Sequence, residues 1–199
     1  MKTMRFIVLA IVAITLGATS ANAQNAQTKA QLTKIRAAYA KAQQLAEKGM
    51  KGPRKNYQVY ESWTSDPNGD THSKTEFIFD NTQVAEQLEV YPCTLVLTRQ
   101  KTGTTYQEYL FNDEGRVLFS FISTDYGEGW ITERRYYYND NAPIWMIEKH
   151  VDPKTKKVTK EEQMDVSSQE SDYFSDAIYM LRDAAELHEA FTSLNAIHD

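Results

Sequence analysis

The first long pattern along the chain has a helical period. Between residues 26 and 50, Leu32, Ile35, Tyr39, Ala42 and Ala46 recur at three- and four-residue steps, which aligns them on one helical stripe. Lys34, Lys41 and Lys48 fall seven apart on the opposite side as a basic ridge, and Gly49, Gly52 and Pro53 end the pattern. From Asn56 the period changes to two, with Tyr57, Val59 and Trp63 alternating with Gln58 and Ser62. Asp66-Pro67-Asn68-Gly69-Asp70 reads as a turn. Further strands are predicted at 71–80, 91–100, 105–111, 116–123, 130–138 and 143–151, with 81–89 fitting either a loop or a short helix. About seven strands joined by short turns predict an antiparallel meander.

The strand at 116–123 is apolar on both sides, with Val117, Phe119 and Phe121 on one and Leu118 and Ile122 on the other. It reads as a central strand covered on both faces, and the terminal helices are the available covers. Residues 152–160 form a charged turn with room for a short extra strand. A second helix is expected from Ser167, where Glu170 completes a capping box, with Ser171 as a rival start. Its apolar stripe is Phe174, Ala177, Ile178, Leu181, Ala184, Ala185, Phe191 and Leu194. The fold class is therefore α+β: an N-terminal helix, a meander of about seven strands, and a C-terminal helix packed on the sheet, as one domain over 24–199.

Tyr109-Leu110-Phe111-Asn112-Asp113 recurs as Tyr136-Tyr137-Tyr138-Asn139-Asp140, and more loosely as Phe77-Ile78-Phe79-Asp80-Asn81. An aromatic strand running into an Asn/Asp turn is hairpin chemistry. Gly115 supplies the left-handed position of a three-residue turn; Ala142 and Pro143 fit that turn less well. The same register in the later hairpin sets Arg134 opposite Glu148 and Glu133 opposite Lys149, two complementary pairs.

The N-terminus reads as a secretory signal. Lys2 and Arg5 precede the apolar run 6–16, and Ala21-Asn22-Ala23 is a small-x-small cleavage site, so the processed chain is expected to begin at Gln24. No cysteine follows the site, which does not indicate a lipid anchor, and no other stretch has the length of a membrane helix. The chain has 199 residues and a formal net charge of −5. Its charge is uneven: residues 24–60 carry eight basic residues against Glu47, while 161–199 carry ten acidic residues against Arg182. The simplest expectation is that the two segments lie near one another. The sharper one is a peripheral contact of Lys34, Lys41 and Lys48 with an anionic surface. Overall acidity argues against nucleic acid.

No phosphate-cradling glycine loop, nucleophile elbow or paired cysteines occur, and the sequence calls for no cofactor, metal or catalytic residue. Cys93 stands alone and reads as a small buried apolar residue. His188 falls on the apolar face of the second helix, where a lone histidine is more often a packed residue than a ligand. Glu61, Glu76, Glu108, Glu133 and Glu148 sit on strands, and two of them facing a cleft could serve acid–base chemistry. The aromatic content, twelve Tyr, eight Phe and three Trp, suggests a binding platform for a sugar or an apolar ligand. The candidate residues are Trp63, Trp130, Tyr136, Tyr138 and Trp145, with Tyr57 and Tyr60 beside them.

The cleavage region Ala21-Asn22-Ala23-Gln24, a helix directly after it, and a meander with aromatic-Asn-Asp hairpins resemble, in plan, small secreted proteins of unknown function from Gram-negative bacteria. The resemblance implies a periplasmic or extracellular location and transfers no activity. The expectation is a secreted, non-catalytic binding or interaction protein. The alternatives are a periplasmic carrier of a lipid or other apolar ligand, and a hydrolase using strand carboxylates in a polar cleft with a raised pKa.

Overall fold

The computed structural model describes residues 3–49, 56–66, 69–80 and 94–196, with side chains from Ala26 to Leu194. The ambiguous stretch 81–89 and Cys93 lie outside these residues. Helix α1 (Thr3–Gly49) leads into β1 (Tyr57–Asp66), β2 (Gly69–Asp80), β3 (Thr94–Thr102), β4 (Thr105–Phe111), β5 (Val117–Asp125), β6 (Ile131–Asn139), β7 (Ala142–Val151) and β8 (Val158–Met164), followed by helix α2 (Phe174–Ala196). The strands form one antiparallel sheet in chain order, an α+β architecture with eight strands in place of about seven. The additional strand is β8. Every residue of it except Met164 is exposed, so it carries no apolar alternation to reveal it. Its Lys160, Glu161 and Glu162 give that edge of the sheet a charged character that discourages further pairing.

Local turn chemistry closes the hairpins. In the β4–β5 turn the Asn112 side-chain oxygen accepts from the backbone N–H of Glu114 (3.0 Å) and Arg116 (2.8 Å), and Gly115 takes φ 74°. A side chain at 115 would also meet the ring of His188 on α2, at 2.6 Å from its Nε2. The β6–β7 hairpin differs from the expected copy. Asp140 (φ 49°) and Asn141 (φ 61°) both take left-handed conformations, which Asp and Asn tolerate, so the turn closes in two residues between Asn139 and Ala142.

One helix covers each face. On the first face Leu32, Ile35, Ala42 and Ala46 of α1 pack on Ile78, Leu97, Leu110, Phe119, Tyr137 and Ile147. On the second, Ala177, Met180, Ala184 and Phe191 of α2 pack on Phe77, Phe79, Tyr109, Phe111, Tyr136 and Tyr138. Adjacent residues 77, 78 and 79 thus alternate between two cores. The central strand β5 is covered on both sides, but a bulge opposite Leu110 and Phe111 redistributes its side chains. Val117 joins the α2 core with Ile122, while Leu118, Phe119 and Phe121 face α1.

Helix α2 begins at Phe174, later than Ser167. The Ser167 hydroxyl is engaged by Asp165 (2.5 Å), and the Ser171 carbonyl accepts from the Phe174 N–H (3.0 Å). Met180 and Leu187 face the sheet, while Ile178 is exposed and Ala185 lies outside. The basic helix and the acidic helix lie on opposite faces rather than side by side, because each apolar stripe is drawn to its own side of the sheet. Lys34, Lys41 and Lys48 are all exposed. Among the described residues no helix is long and apolar enough to cross a membrane.

Both helices sit over the half of the sheet that ends in the turns 111–117 and 139–142. Among the described residues no helix covers the other half, which ends where Asp66 pairs with Gly69 and in the turns 102–105, 125–131 and 151–158.

Candidate functional site

Two polar constellations arise where the helices stop, one on each face. On the α1 face, in-register pairing sets Glu76, Arg99 and Glu108 side by side on β2, β3 and β4. Arg99 Nε lies 3.4 Å from Glu108 Oε1, and Nη1 lies 3.8 Å from Glu76 Oε2. Tyr39 and Tyr106 donate their hydroxyls to Glu108, Gln43 Nε2 donates to the same carboxylate at 3.2 Å, and Arg99 donates to the Gln43 oxygen. Burial, with Glu108 adding to it, pushes the Tyr39 and Tyr106 hydroxyls well above their ordinary pKa. Burial alone would raise Glu76 as well, but Lys74, Tyr57 and Arg99 outweigh it and hold that carboxyl below its usual range. A carboxylate offers about four acceptor positions; Glu108 fills three of them with hydrogen bonds from Tyr39, Tyr106 and Gln43 and lies beside the Arg99 guanidinium as an ion pair. It has little capacity left for a ligand. This cluster ties α1 to the sheet.

The second constellation is an open cleft of about 320 Å³ on the α2 face, lined by Tyr126, Glu128, Trp130, Thr132, Arg134, Glu148 and His150. Strand alternation puts 132 and 134 of β6 on this face, and the register sets Arg134 opposite Glu148 and Thr132 opposite His150. The expected pairing of Glu133 with Lys149 is also present in the backbone, although their side chains bond Arg135 and Glu161 instead. Arg134 Nε donates to Glu148 Oε2 at 2.7 Å, and Arg134 Nη1 reaches Asp176 on α2 at 3.2 Å. Tyr173 lies under the guanidinium, 5.3 Å from ring centre to Cζ. His150 Nε2 is 3.3 Å from Glu148 Oε1. The indole of Trp130 stacks on the His150 ring with centroids 5.3 Å apart and planes 7° apart. Burial by itself would raise Glu148, but Arg134 and His150 outweigh it and keep the carboxyl ionised to below its usual range. Glu148 uses two of its acceptor positions on these partners, which leaves capacity toward the cleft.

The five aromatic candidates do not assemble into one platform. Trp130 is on the cleft wall. Tyr136 and Tyr138 are on the same face of β6 but lie buried beneath α2, 1% and 0% exposed, where the Tyr138 hydroxyl donates to the Ala177 carbonyl at 3.1 Å. Trp145 is half-buried on the α1 face against that core. Trp63 is 71% exposed on the edge strand β1, stacked on His72. Of the strand carboxylates, Glu76 and Glu108 share Arg99 on the α1 face, Glu133 bonds Arg135, Glu61 lies 3.6 Å from His72, and only Glu148 enters the cleft. His188 packs against Phe111 and Gly115. Among the described residues no group of three His, Cys, Asp or Glu side chains converges as a metal site would.

The residue types of His150, Thr132, Tyr126 and Glu128 do not single them out for the cleft. Their signal is positional: once Arg134 pairs with Glu148, a two-residue step sets His150 across from Thr132 on the same face. The chain matches no protein-family model, no curated protein and no solved structure.

Proposed function

We propose that this is a secreted, non-catalytic binding protein that takes a small polar ligand in the Trp130–His150 cleft. The observation that carries the reading is the combination, in one open cleft, of an aromatic wall with a fixed Arg134–Glu148–His150 array that retains acceptor capacity. Such a mixture of apolar surface and a few fixed polar groups is what a ligand site offers. The hydrolase alternative expects a carboxylic acid kept protonated in the cleft, whereas Glu148 is held ionised. Secretion is supported by the pattern at 1–23, and cleavage after Ala23 would remove none of the described contacts of α1 with the sheet, the first core residue being Leu32.

The carrier alternative has one observation in its favour. A groove of about 480 Å³ between α1 and the sheet is walled by Leu45, Val96, Leu110 and Leu118, with Lys41 and Lys48 at its side. The two sites separate in one experiment. The protein is recovered from the periplasm, with loss of residues 1–23 checked by intact mass, and its melting temperature is screened against neutral sugars, amino acids, polyamines and fatty acids. A ligand at about a hundred times its Kd adds about 2.7 kcal/mol of stability, a rise of several degrees in a domain of this size. The cleft reading expects such a rise from a polar solute and its loss in Trp130→Ala. A rise from fatty acids alone, unaffected by Trp130→Ala, would instead establish the carrier.

A further inference from the structure

The α2 face of the helix-free half carries more than the cleft. Read across the sheet in register, one row runs Ser62, Ser73, Thr102, Thr105, Thr124 and Thr132, and then reaches His150. Six successive strands, β1 to β6, each place a hydroxyl on it. The row beside it runs Tyr60, Thr75, Gln100, Gln107 and Ile122 before it reaches Arg134 and Glu148, with Thr75, Gln100 and Gln107 its uncharged polar members. No charged side chain stands in the hydroxyl row between Ser62 and Thr132. The corresponding row on the α1 face runs Glu61, Lys74, Lys101, Tyr106, Ser123, Glu133, Lys149 and is dominated by charge.

The side chains bond one another only in pairs: Ser73 with Thr102 at 2.6 Å, Thr105 with Thr124 at 3.3 Å, and Gln100 Nε2 to Thr75 at 3.3 Å. A pair of hydroxyls joined by one bond keeps one donor and three acceptor lone pairs. The row is exposed at Ser62 and Thr102, half-buried at Ser73 and Thr105, and buried at Thr124 and Thr132. It therefore deepens toward the cleft, whose wall includes Thr132. With strands about 4.8 Å apart, the five steps from Ser62 to Thr132 span about 24 Å.

We infer that this face binds a neutral polysaccharide chain, laid across the strands along the hydroxyl row with one end in the Trp130 cleft. This inference rests on the cleft reading and extends it. An uncharged row gives no attraction to polyanions, which require lysine and arginine. It also gives a protein partner no apolar centre to bury. It matches a ligand that is itself a row of hydroxyl donors and acceptors. Trp130 supplies the apolar surface on which the C–H face of a sugar ring packs, and Glu128 and Glu148 supply acceptors for its hydroxyls.

The test is native gel electrophoresis of the protein through gels containing a soluble neutral β-glucan, a neutral mannan or the acidic polygalacturonate. Three proteins are compared: the wild type, Trp130→Ala, and Gln100→Ala combined with Gln107→Ala. The substituted side chains are half-buried, and circular dichroism confirms folding. The inference expects a neutral polysaccharide to retard the wild type, polygalacturonate to leave it unaffected, and each variant to weaken binding roughly tenfold. If only Trp130→Ala weakens retardation, the extended row is overturned and the cleft stands. If only the Gln variant weakens it, the cleft reading falls, and with it the placement of the chain end. Equal retardation by polygalacturonate, or none by either neutral chain, overturns the inference outright, while the melting-temperature screen still decides the cleft.

Discussion

Raising the pH above 10 should unfold this protein within about one further unit, well before ordinary backbone hydrolysis matters. Tyr109, Tyr136 and Tyr138 are each under 2% exposed, and burial pushes all three hydroxyls above their ordinary pKa of 10. In the unfolded chain they ionise near 10; in the fold they stay protonated. Their contribution is thus complete below pH 10 and is lost as pH rises toward the folded values. At pH 11 each favours the unfolded chain by about 1.4 kcal/mol, about 4 kcal/mol for the three. That is a large part of the 5–15 kcal/mol typical of a whole domain. Tyr39 and Tyr106 act in the same direction. Tyrosinate absorbance should therefore rise in two steps, exposed residues first and the buried set together with loss of helix by circular dichroism. Gradual ionisation of all twelve tyrosines near pH 10, with the fold intact, would contradict the two-core arrangement.

Glu108→Ala should be the most damaging truncation of a polar side chain on the α1 face, at about 3–5 kcal/mol. The cost comes less from the lost bonds than from what remains. Tyr39, Tyr106 and Gln43 would lose the acceptor they share, and Arg99 would lose the ion-pair partner buried beside it; breaking one side of a buried ion pair leaves the other uncompensated. Glu108→Gln keeps an acceptor oxygen and should cost clearly less, and Tyr39→Phe about 1 kcal/mol. Denaturant unfolding measures all three. Because Tyr39 and Gln43 belong to α1, the loss should fall first on that helix, seen as faster amide exchange over residues 32–46 than over α2. A cost for Glu108→Ala below about 1 kcal/mol would mean that α1 is held by its apolar stripe alone.

The parts of the fold that the sequence made legible are those where one physical pattern acts alone. Leu32, Ile35, Ala42 and Ala46 form the buried stripe of α1 as their spacing requires, and the β6–β7 register is the one in which Arg134 faces Glu148 and Glu133 faces Lys149. Prediction failed where two effects competed. β8 was legible only as room for a short extra strand at 152–160, because all of it but Met164 is exposed and it has no apolar alternation to detect. The bulge at Leu110–Phe111 shifted Val117 to the other face from Phe119, a one-residue slip that period-two reasoning cannot anticipate. The start of α2 was displaced because Asp165 engages Ser167. The binding site was only partly legible for a related reason. Tyr136 and Tyr138 share the face of β6 beside which Trp130 stands, just before the strand begins, and the position of α2 alone decides that the tyrosines are core and the tryptophan is available.

Trp130 walls the proposed ligand cleft, and its fluorescence can be isolated. Trp63→Phe keeps a ring to stack on half-buried His72, and Trp145→Phe removes an indole N–H that has no hydrogen-bond partner, so the double variant should fold with Trp130 as its one emitter. Titrating it with the solute that raises the melting temperature most should shift or quench that emission in a saturable way, with the same midpoint in both assays. Emission unchanged at saturation would contradict binding in the Trp130–His150 cleft, because a ligand there cannot avoid the indole that walls it.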